Sequence, residues 1–185
     1  MNDQQESLQG GMGRRVFLAG AAAAAGSAAL GAGNVLAATQ ESVRQAEAIH
    51  QVARLKASRE RVYAALTEAA LFQQVMLRSG AARGGRAMDK QPAQIARDVG
   101  GSFTLFGGYI TGRHLELVPN QRIVQAWRAG SWEPGEFSIV RFDLQADGAG
   151  TRIVFDHAGY PAGQTQHLAA GWIENYWEPL EKVLA

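Results

Sequence analysis

Histidine is the first residue type to consider for chemistry, because imidazole is a common metal ligand and general base near neutral pH. The four histidines, His50, His114, His157 and His167, are far apart, and no two have the i, i+4 spacing that places two metal ligands on one helix face. The chain has no cysteine, which excludes thiolate ligands, disulfides and a cysteine nucleophile. The sequence therefore predicts no metal site.

His157 is the histidine whose position is most informative. It follows Asp156 on a predicted strand, so the two side chains point to opposite faces and cannot form a catalytic dyad. We expect His157 to face inward with Ile153 and Phe155. His157 and Tyr176 are thus weak candidates for an acid or a base. The sequence predicts no other catalytic residue and no cofactor.

Aromatic residues are stronger candidates for a binding site, because a bound apolar molecule needs contact area and a few polar groups, and Trp and Tyr provide both. Trp132 lies between two turn signals, and we expect it to act as a lid over the pocket mouth. For each aromatic residue, simple core filling is the alternative. The predicted ligand-binding residues are Phe103, Leu105, Tyr109, Trp127, Trp132, Phe142, Phe155, His157, Trp172 and Tyr176.

The spacing of apolar residues predicts the elements that position these side chains. Loose alternation predicts a first strand over residues 46–56, and Ser58 is a suitable N-cap for the helix that follows. Residues 78–94 combine glycine, proline and several arginines, which predicts a basic loop that is either solvated or able to contact an acidic headgroup. Further strands are predicted over residues 95–99, 102–106, 109–118, 123–128, 137–145 and 151–157.

The last element is a predicted helix over residues 165–184, with aromatic and aliphatic residues at steps of three and four and a kink at Pro179. The turns between the strands are too short for helical crossovers, so the sheet must be antiparallel. These features predict an α+β fold of the helix-grip type, in which a curved antiparallel sheet wraps around a long C-terminal helix. Such a sheet tends to enclose a cavity.

The N-terminus has the composition of a targeting segment. Two adjacent arginines precede an uncharged, alanine-rich run, and small residues lie at the −3 and −1 positions of a cut after Ala37. Residues 13–19 (GRRVFLA) resemble a twin-arginine export signal. We therefore expect a signal peptide over residues 1–37, a linker over 38–45 and one domain over 46–185. The alternatives are an uncleaved anchor in the inner membrane and an alanine-rich cytosolic helix.

Four runs in the domain carry a family resemblance: residues 57–67 (ASRERVYAALT), 100–103 (GGSF), 122–128 (RIVQAWR) and 171–180 (GWIENYWEPL). Together they resemble the START-like (SRPBCC, helix-grip) superfamily. Within it they resemble the family homologous to the C-terminal domain of the activator of the heat shock protein 90 ATPase. The resemblance spans about residues 46–185. It implies the helix-grip fold, and members of the superfamily bind lipids, polyketides and other apolar molecules.

These observations together predict a periplasmic or otherwise extracytoplasmic protein that binds a hydrophobic or amphipathic small molecule, including a lipid, without catalysis. The net charge of +1 argues against a nucleic-acid partner. Contact with the membrane is expected only transiently, through the signal peptide. Two alternatives stay open: a small enzyme that acts in the same pocket, and a chaperone-associated protein like the activator of the heat shock protein 90 ATPase. The sequence does not predict an oligomeric state.

Overall fold

The computed structural model describes residues 47–88 and 91–185. The predicted signal peptide, residues 1–37, and the predicted linker, residues 38–45, lie outside this part of the chain, as does residue 46. Within the described residues, no helix is both long enough and apolar enough to span a bilayer.

A seven-stranded antiparallel sheet in the order β1-β7-β6-β5-β4-β3-β2 is the main element of the fold. Consecutive strands from β2 to β7 are neighbours, and β1 closes the sheet against β7. The predicted antiparallel meander is therefore confirmed. The strands are β1 (Ala48–Leu55), β2 (Gln94–Ile95), β3 (Ser102–Leu105), β4 (Ile110–Val118), β5 (Arg122–Ala129), β6 (Ser138–Asp147) and β7 (Gly150–Ala158).

Alternation within the strands decides which side chains enter the core. Along β7, Ile153, Phe155 and His157 are buried, while Asp156 points outward and is hydrogen-bonded to Nδ1 of His50 at 2.7 Å. The predicted inward orientation of His157 and its separation from Asp156 are both confirmed. Each fully buried Phe or Ile contributes about 1.5–3 kcal/mol to folding by removing apolar area from water.

Three short helices follow β1: α1 (Arg59–Thr67), α2 (Ala69–Leu77) and α3 (Gly80–Arg83). Ser58 caps α1 as predicted, since its hydroxyl accepts from the amide of Arg61 at 3.5 Å. α3 lies inside residues 78–94, where we predicted only a loop. That prediction missed Ser79, whose hydroxyl accepts from the amide of Ala82 at 3.1 Å and starts a further helical turn. The strand predicted over residues 95–99 was also too long, because β2 has only two residues.

The C-terminal helix consists of α4 (Thr165–Trp172), a π-helical turn (Ile173–Trp177) and α5 (Glu178–Leu184). This π-helical turn ends at Trp177, two residues before Pro179, where we predicted a kink. Pro179 has no amide hydrogen, and in a regular helix its ring would crowd the carbonyl of Asn175. The chain instead forms an i→i+5 bond, in which the amide of Glu178 donates to the carbonyl of Ile173.

Side-chain hydrogen bonds attach this helix to the edge of the sheet. The amide nitrogen of the Gln51 side chain, on β1, donates to the carbonyl of Ala169 at 2.9 Å, and its oxygen accepts from the indole of Trp177 at 2.7 Å. Between the helix and the concave face of the sheet, Trp172 packs on Phe155 with ring centroids 4.4 Å apart. The α+β helix-grip fold is thus the observed architecture.

Candidate ligand cavity

A cavity of about 270 Å³ lies between the N-terminal half of the C-terminal helix and strands β4 and β5. Its wall on the sheet side is formed by Tyr109, Ile110, Trp127 and Ala129. The helix contributes Leu168, Gly171, Trp172 and Tyr176. The inner surface is completed by Ala81, Phe106 and Asn175. The rim carries Arg86, Gln164 and His167. The lining is mostly apolar, which is typical of small-molecule sites.

Small residues on both walls explain why this space is not filled. Gly171 on the helix and Ala129 on the sheet both line the cavity. A Cβ atom added at Gly171 would approach only the side-chain nitrogen of Asn175, at 3.9 Å, so a side chain has room there. Since Gly destabilises a helix interior relative to Ala by about 1 kcal/mol, Gly171 keeps the cavity open at a cost in helix stability.

Two residues that line the cavity each carry a buried polar atom without a full hydrogen bond: the indole nitrogen of Trp127 and the hydroxyl oxygen of Tyr176. Their side chains are only 4% and 5% exposed. Native proteins pair the large majority of buried polar groups, because an unpaired one costs about 1–3 kcal/mol. Both polar atoms lie behind the cavity surface, so Trp127 and Tyr176 line the cavity through their ring carbons.

The Tyr176 hydroxyl is held in its protonated form. Burial raises its pKa well above the usual value, and the neighbouring indole of Trp127 opposes this only in part. The two groups lie close together, although their geometry does not form a full hydrogen bond. Tyr176 is also packed on Trp172, with ring centroids 4.2 Å apart, so its orientation is fixed.

His157 takes part in a continuous chain of hydrogen bonds behind the cavity. The indole of Trp172 can only donate, and it does so to Nδ1 of His157 at 3.0 Å. Nε2 therefore carries the hydrogen and donates to the Ser138 hydroxyl at 2.7 Å, which in turn donates to the carbonyl of Trp127 at 3.0 Å. Burial lowers the pKa of His157 to about 4. Because both ring nitrogens are engaged, His157 has no free lone pair for use as a base.

The rim carries positive charge from the segment that follows α3. The guanidinium of Arg86 lies over the ring of Tyr109, 4.2 Å from its centroid, and the Tyr109 hydroxyl is 3.0 Å from that of Ser131. The α3 helix is fixed to the C-terminal helix, because the amide of Ala81 donates to the side-chain oxygen of Asn175 at 2.8 Å. Arg86 of the predicted basic loop is thus positioned at the entrance.

Four of the ten predicted ligand-binding residues line the cavity: Tyr109, Trp127, Trp172 and Tyr176. The structure does not bring the other six to its wall. All six are buried elsewhere in the domain; they are Phe103, Leu105, Trp132, Phe142, Phe155 and His157. Strand alternation predicts that a residue faces inward, but it does not predict whether it meets a helix or a void.

Trp132 does not form the predicted lid. It is 5% exposed and packs edge-on against Trp127, with ring centroids 5.4 Å apart. The loop folds back because the amide of Trp132 donates to the carbonyl of Ala129 at 3.1 Å. Sequence reasoning also missed the small residues Gly171 and Ala129. A glycine in the middle of a helix rich in aromatic residues was the available signal for the former.

Within the described residues, no three side chains of the metal-ligating types lie close enough together to hold an ion. Two other concave surfaces in the described part of the chain are less apolar. One is lined by Glu60, Glu68 and Arg97, among others, and the second by Arg59, Arg122 and Asp143. The cavity beside Trp127 and Tyr176 is therefore the best candidate for an apolar ligand.

A comparison with protein families identifies the lineage of the domain. The family described as activator of Hsp90 ATPase homolog 1-like protein matches residues 56–185. The chain belongs to this family. The predicted resemblance is thus confirmed at the family level, while the export signal lies in a part of the chain that this match does not cover.

Among curated relatives in the family, the human activator of 90 kDa heat shock protein ATPase homolog 1 is 29% identical over 97 residues, which is 52% of this chain and 29% of the human protein. The Dictyostelium discoideum homologue is 32% identical over 49% of this chain and 24% of its own length. The chain therefore spans less than a third of the length of these relatives.

Solved structures confirm the fold. An HSP90 activator from Plasmodium falciparum is similar with a TM-score of 0.63 and 23% identity, covering 74% of this chain and 95% of that one. CalU16 from Micromonospora echinospora is similar with a TM-score of 0.59 and 21% identity, over 76% and 77% of the two chains. The Aha1 dimer from Colwellia psychrerythraea gives 0.58 and 19%, over 75% and 96%. At these identities the likeness concerns the fold alone.

Proposed function

We propose that the domain binds a hydrophobic or amphipathic small molecule in the cavity between α4 and strands β4 and β5, without transforming it. The observation that carries this proposal is an apolar space of about 270 Å³ kept open by Gly171 and Ala129. Empty apolar space forfeits the dispersion contacts that a filled core would make. A ligand would recover those contacts.

The arrangement of titratable groups supports binding over catalysis. His157 has both ring nitrogens engaged, and burial favours the protonated form of Tyr176. Neither side chain can readily accept a proton from a substrate near neutral pH. The two weak catalytic candidates are therefore better explained as a structural histidine and a buried tyrosine of the cavity wall.

A cavity-filling variant tests the proposal. Gly171→Leu adds a branched side chain where the structure has room, so it should displace a bound molecule while the helix gains stability through loss of glycine. Ala170→Leu is the matched control, because residue 170 lies on the same helix but is exposed. Native mass spectrometry and organic extraction of both proteins would report any molecule that co-purifies.

We expect the wild type and Ala170→Leu to carry the same apolar compound, or to bind an added naphthalene-type fluorophore equally well. Gly171→Leu should bind at least about tenfold more weakly, since the overlap removes most of the apolar contact. Equal binding by Gly171→Leu and Ala170→Leu would place the ligand elsewhere on the protein and contradict the proposal.

We further propose that the mature protein acts outside the cytoplasm, on the basis of Arg14, Arg15 and the uncharged run that follows them. Changing both arginines to lysine keeps the charge but removes the twin-arginine feature. Export should then stop, and the protein should accumulate in the cytoplasm with its N-terminus intact. A mature protein that retains Met1 in a membrane fraction would instead support the anchored alternative.

Family membership favours a second candidate function, in which the domain contacts a chaperone of the heat shock protein 90 class. The curated relatives are named as activators of that ATPase. On this domain, Phe137 and Ile139 are apolar side chains near 50% exposure at the start of β6 and would suit such a contact. On this hypothesis the domain stimulates the chaperone ATPase, the double variant Phe137→Ser/Ile139→Ser loses that stimulation, and Gly171→Leu keeps it. Such a result would support this role over ligand carriage.

A further inference from the structure

We infer that the ligand is a carboxylic acid, whose ionised carboxylate is bound at the rim by the guanidinium of Arg86 while its hydrocarbon part fills the cavity. This inference rests on the proposed function, since it describes the molecule that would occupy the same cavity. It adds a charge and an orientation, which an apolar wall alone does not specify.

The charges on the cavity lining are the first support. Among the described residues, the lining includes an arginine and a histidine, Arg86 and His167, but no aspartate or glutamate. The remaining lining side chains are apolar or neutral. A cleft with one sign of charge and low-dielectric walls raises the local concentration of ligands of the opposite charge. The described part of the wall therefore favours an anion over a cation.

The charge of Arg86 is the second support, because no described acidic side chain neutralises it. The described arginines that form salt bridges are Arg54, Arg83, Arg97, Arg122 and Arg141. The guanidinium of Arg86 instead lies over the ring of Tyr109, 4.2 Å from its centroid. A cation–π contact holds the guanidinium without neutralising it. Arg86 can therefore still bind a carboxylate, which the planar guanidinium suits by its geometry.

The end of α3 fixes Arg86 at the entrance and is the third support. Gly85 has a φ of 89°, so the helix ends in a Schellman motif. In this motif the amide of Arg86 donates to the carbonyl of Ala81 at 3.0 Å, and the amide of Gly85 donates to the carbonyl of Ala82 at 3.0 Å. Ala81 is in turn hydrogen-bonded to Asn175 of the C-terminal helix. A cation that is already positioned loses less entropy on binding than a mobile one.

The inner wall favours a carboxylate at the rim over one at depth. Trp127 and Tyr176 present ring carbons to the cavity, and both ends of the Asn175 side-chain amide are engaged within the protein. A carboxylate among these groups would lose its hydration without compensation. At the rim, the side chain of Gln164 forms no capping hydrogen bond with α4 and can donate to an anion.

Cavity size sets the scale of the probe. A protein cavity of about 150 Å³ accommodates benzene, so about 270 Å³ accommodates roughly ten non-hydrogen atoms. The carbon skeleton of naphthalene fits this volume. 2-Naphthylacetate carries a carboxylate on that skeleton, 2-naphthylacetamide is its neutral counterpart, and 2-(2-naphthyl)ethylammonium carries the opposite charge. These three probes separate apolar burial from recognition of charge.

The experiment measures dissociation constants of the three probes at neutral pH, by NMR titration of the wild type, Arg86→Gln, Arg86→Lys and Arg83→Gln. Arg86→Gln removes the charge, and Arg86→Lys keeps it. Arg83→Gln is the control, because Arg83 is an exposed arginine of the same segment that pairs with Glu178 at 3.6 Å and does not line the cavity. In the wild type, the acetate should bind about fivefold more tightly than the acetamide, which is the scale of an exposed ion pair. The ammonium compound should bind more weakly than the acetamide.

Arg86→Gln should abolish the preference for the acetate and leave the affinity for the acetamide unchanged. Arg86→Lys should keep part of the preference, and Arg83→Gln should keep all of it. High salt should reduce the preference in the wild type, because it screens charges at the rim. In ¹⁵N-edited spectra, the amide of Gly171 should shift with both compounds, whereas the side-chain Nε–H of Arg86 should shift strongly only with the acetate.

The outcomes distinguish this inference from the proposed function. If the acetate and the acetamide bind the wild type with equal affinity, the cavity binds apolar molecules but the carboxylate inference is wrong. A preference for the acetate that persists in Arg86→Gln, or tightest binding by the ammonium compound, would also overturn it. If none of the probes binds at millimolar concentration, both the inference and the proposed function fail.

Discussion

Lowering the pH from 7 to 4 should destabilise the folded domain through His157. This imidazole is fully buried and both of its nitrogens are hydrogen-bonded, with Nδ1 as an acceptor from Trp172. Protonation of Nδ1 would place two hydrogens between the two rings and a positive charge in an apolar core. Burial therefore lowers the pKa of His157 from 6.5 to about 4 in the folded protein.

The direction and size of the effect follow from linkage. Between pH 6.5 and about 4, the unfolded chain binds a proton at His157 while the folded chain does not, so the free energy of unfolding falls as the pH falls. At about 1.4 kcal/mol for each pH unit, the loss across this window is on the order of 3 kcal/mol. The contribution is fully present above pH 6.5. It is lost progressively as the pH approaches 4.

Urea unfolding followed by tryptophan fluorescence at pH 7, 6, 5 and 4 would measure this loss. Other groups titrate too, including His114, whose pKa is lowered by burial, so the informative quantity is the difference between wild type and His157→Gln. That variant should be less stable at pH 7, but its deficit should shrink by about 3 kcal/mol on going to pH 4. His167→Gln, at an exposed position, is the control. A deficit for His157→Gln that stays constant with pH would refute the reasoning.

Two further substitutions test how the strands are packed. Gly112→Ala should lower the free energy of unfolding by about 1–3 kcal/mol, because a Cβ atom there would overlap the carbonyl of Ala126 and the ring of Phe103. Thermal unfolding would measure this loss. Thr151→Val should cost about 1–3 kcal/mol in urea unfolding, since the buried Thr151 hydroxyl donates to the carbonyl of Ala57 at 2.8 Å and that carbonyl would lose its partner. Wild-type stability in either variant would contradict the corresponding contact.

Most of the fold follows from local patterns in the sequence. Period-two alternation places Ile153, Phe155 and His157 on the inner face, and the short turns leave antiparallel pairing as the solution. Ser58 marks the start of α1 by its capping chemistry. The helical turn after Ser79 was missed, because glycine and arginine in the same segment obscure the signal of a second capping serine.

The cavity wall was less predictable, because it depends on contacts between distant elements. Phe155 and Trp127 both face inward, yet Phe155 meets the ring of Trp172 while Trp127 borders open space. The difference arises from sheet curvature and from small residues opposite Trp127, especially Gly171. Trp132 shows the same limit, since the turn signals beside it predict a loop but do not predict that its ring packs inward on Trp127.

The π-helical turn before Pro179 gives the C-terminal helix a built-in site for length variation. A turn of this type accommodates one more residue than an α-helical turn. Removal of Glu174, which is exposed, would restore ordinary α-helical winding and leave α5 in its present orientation, because the wide turn already absorbs the extra residue. Deletion of one residue at this point therefore shortens the helix wall of the cavity without changing the pairing of the seven strands.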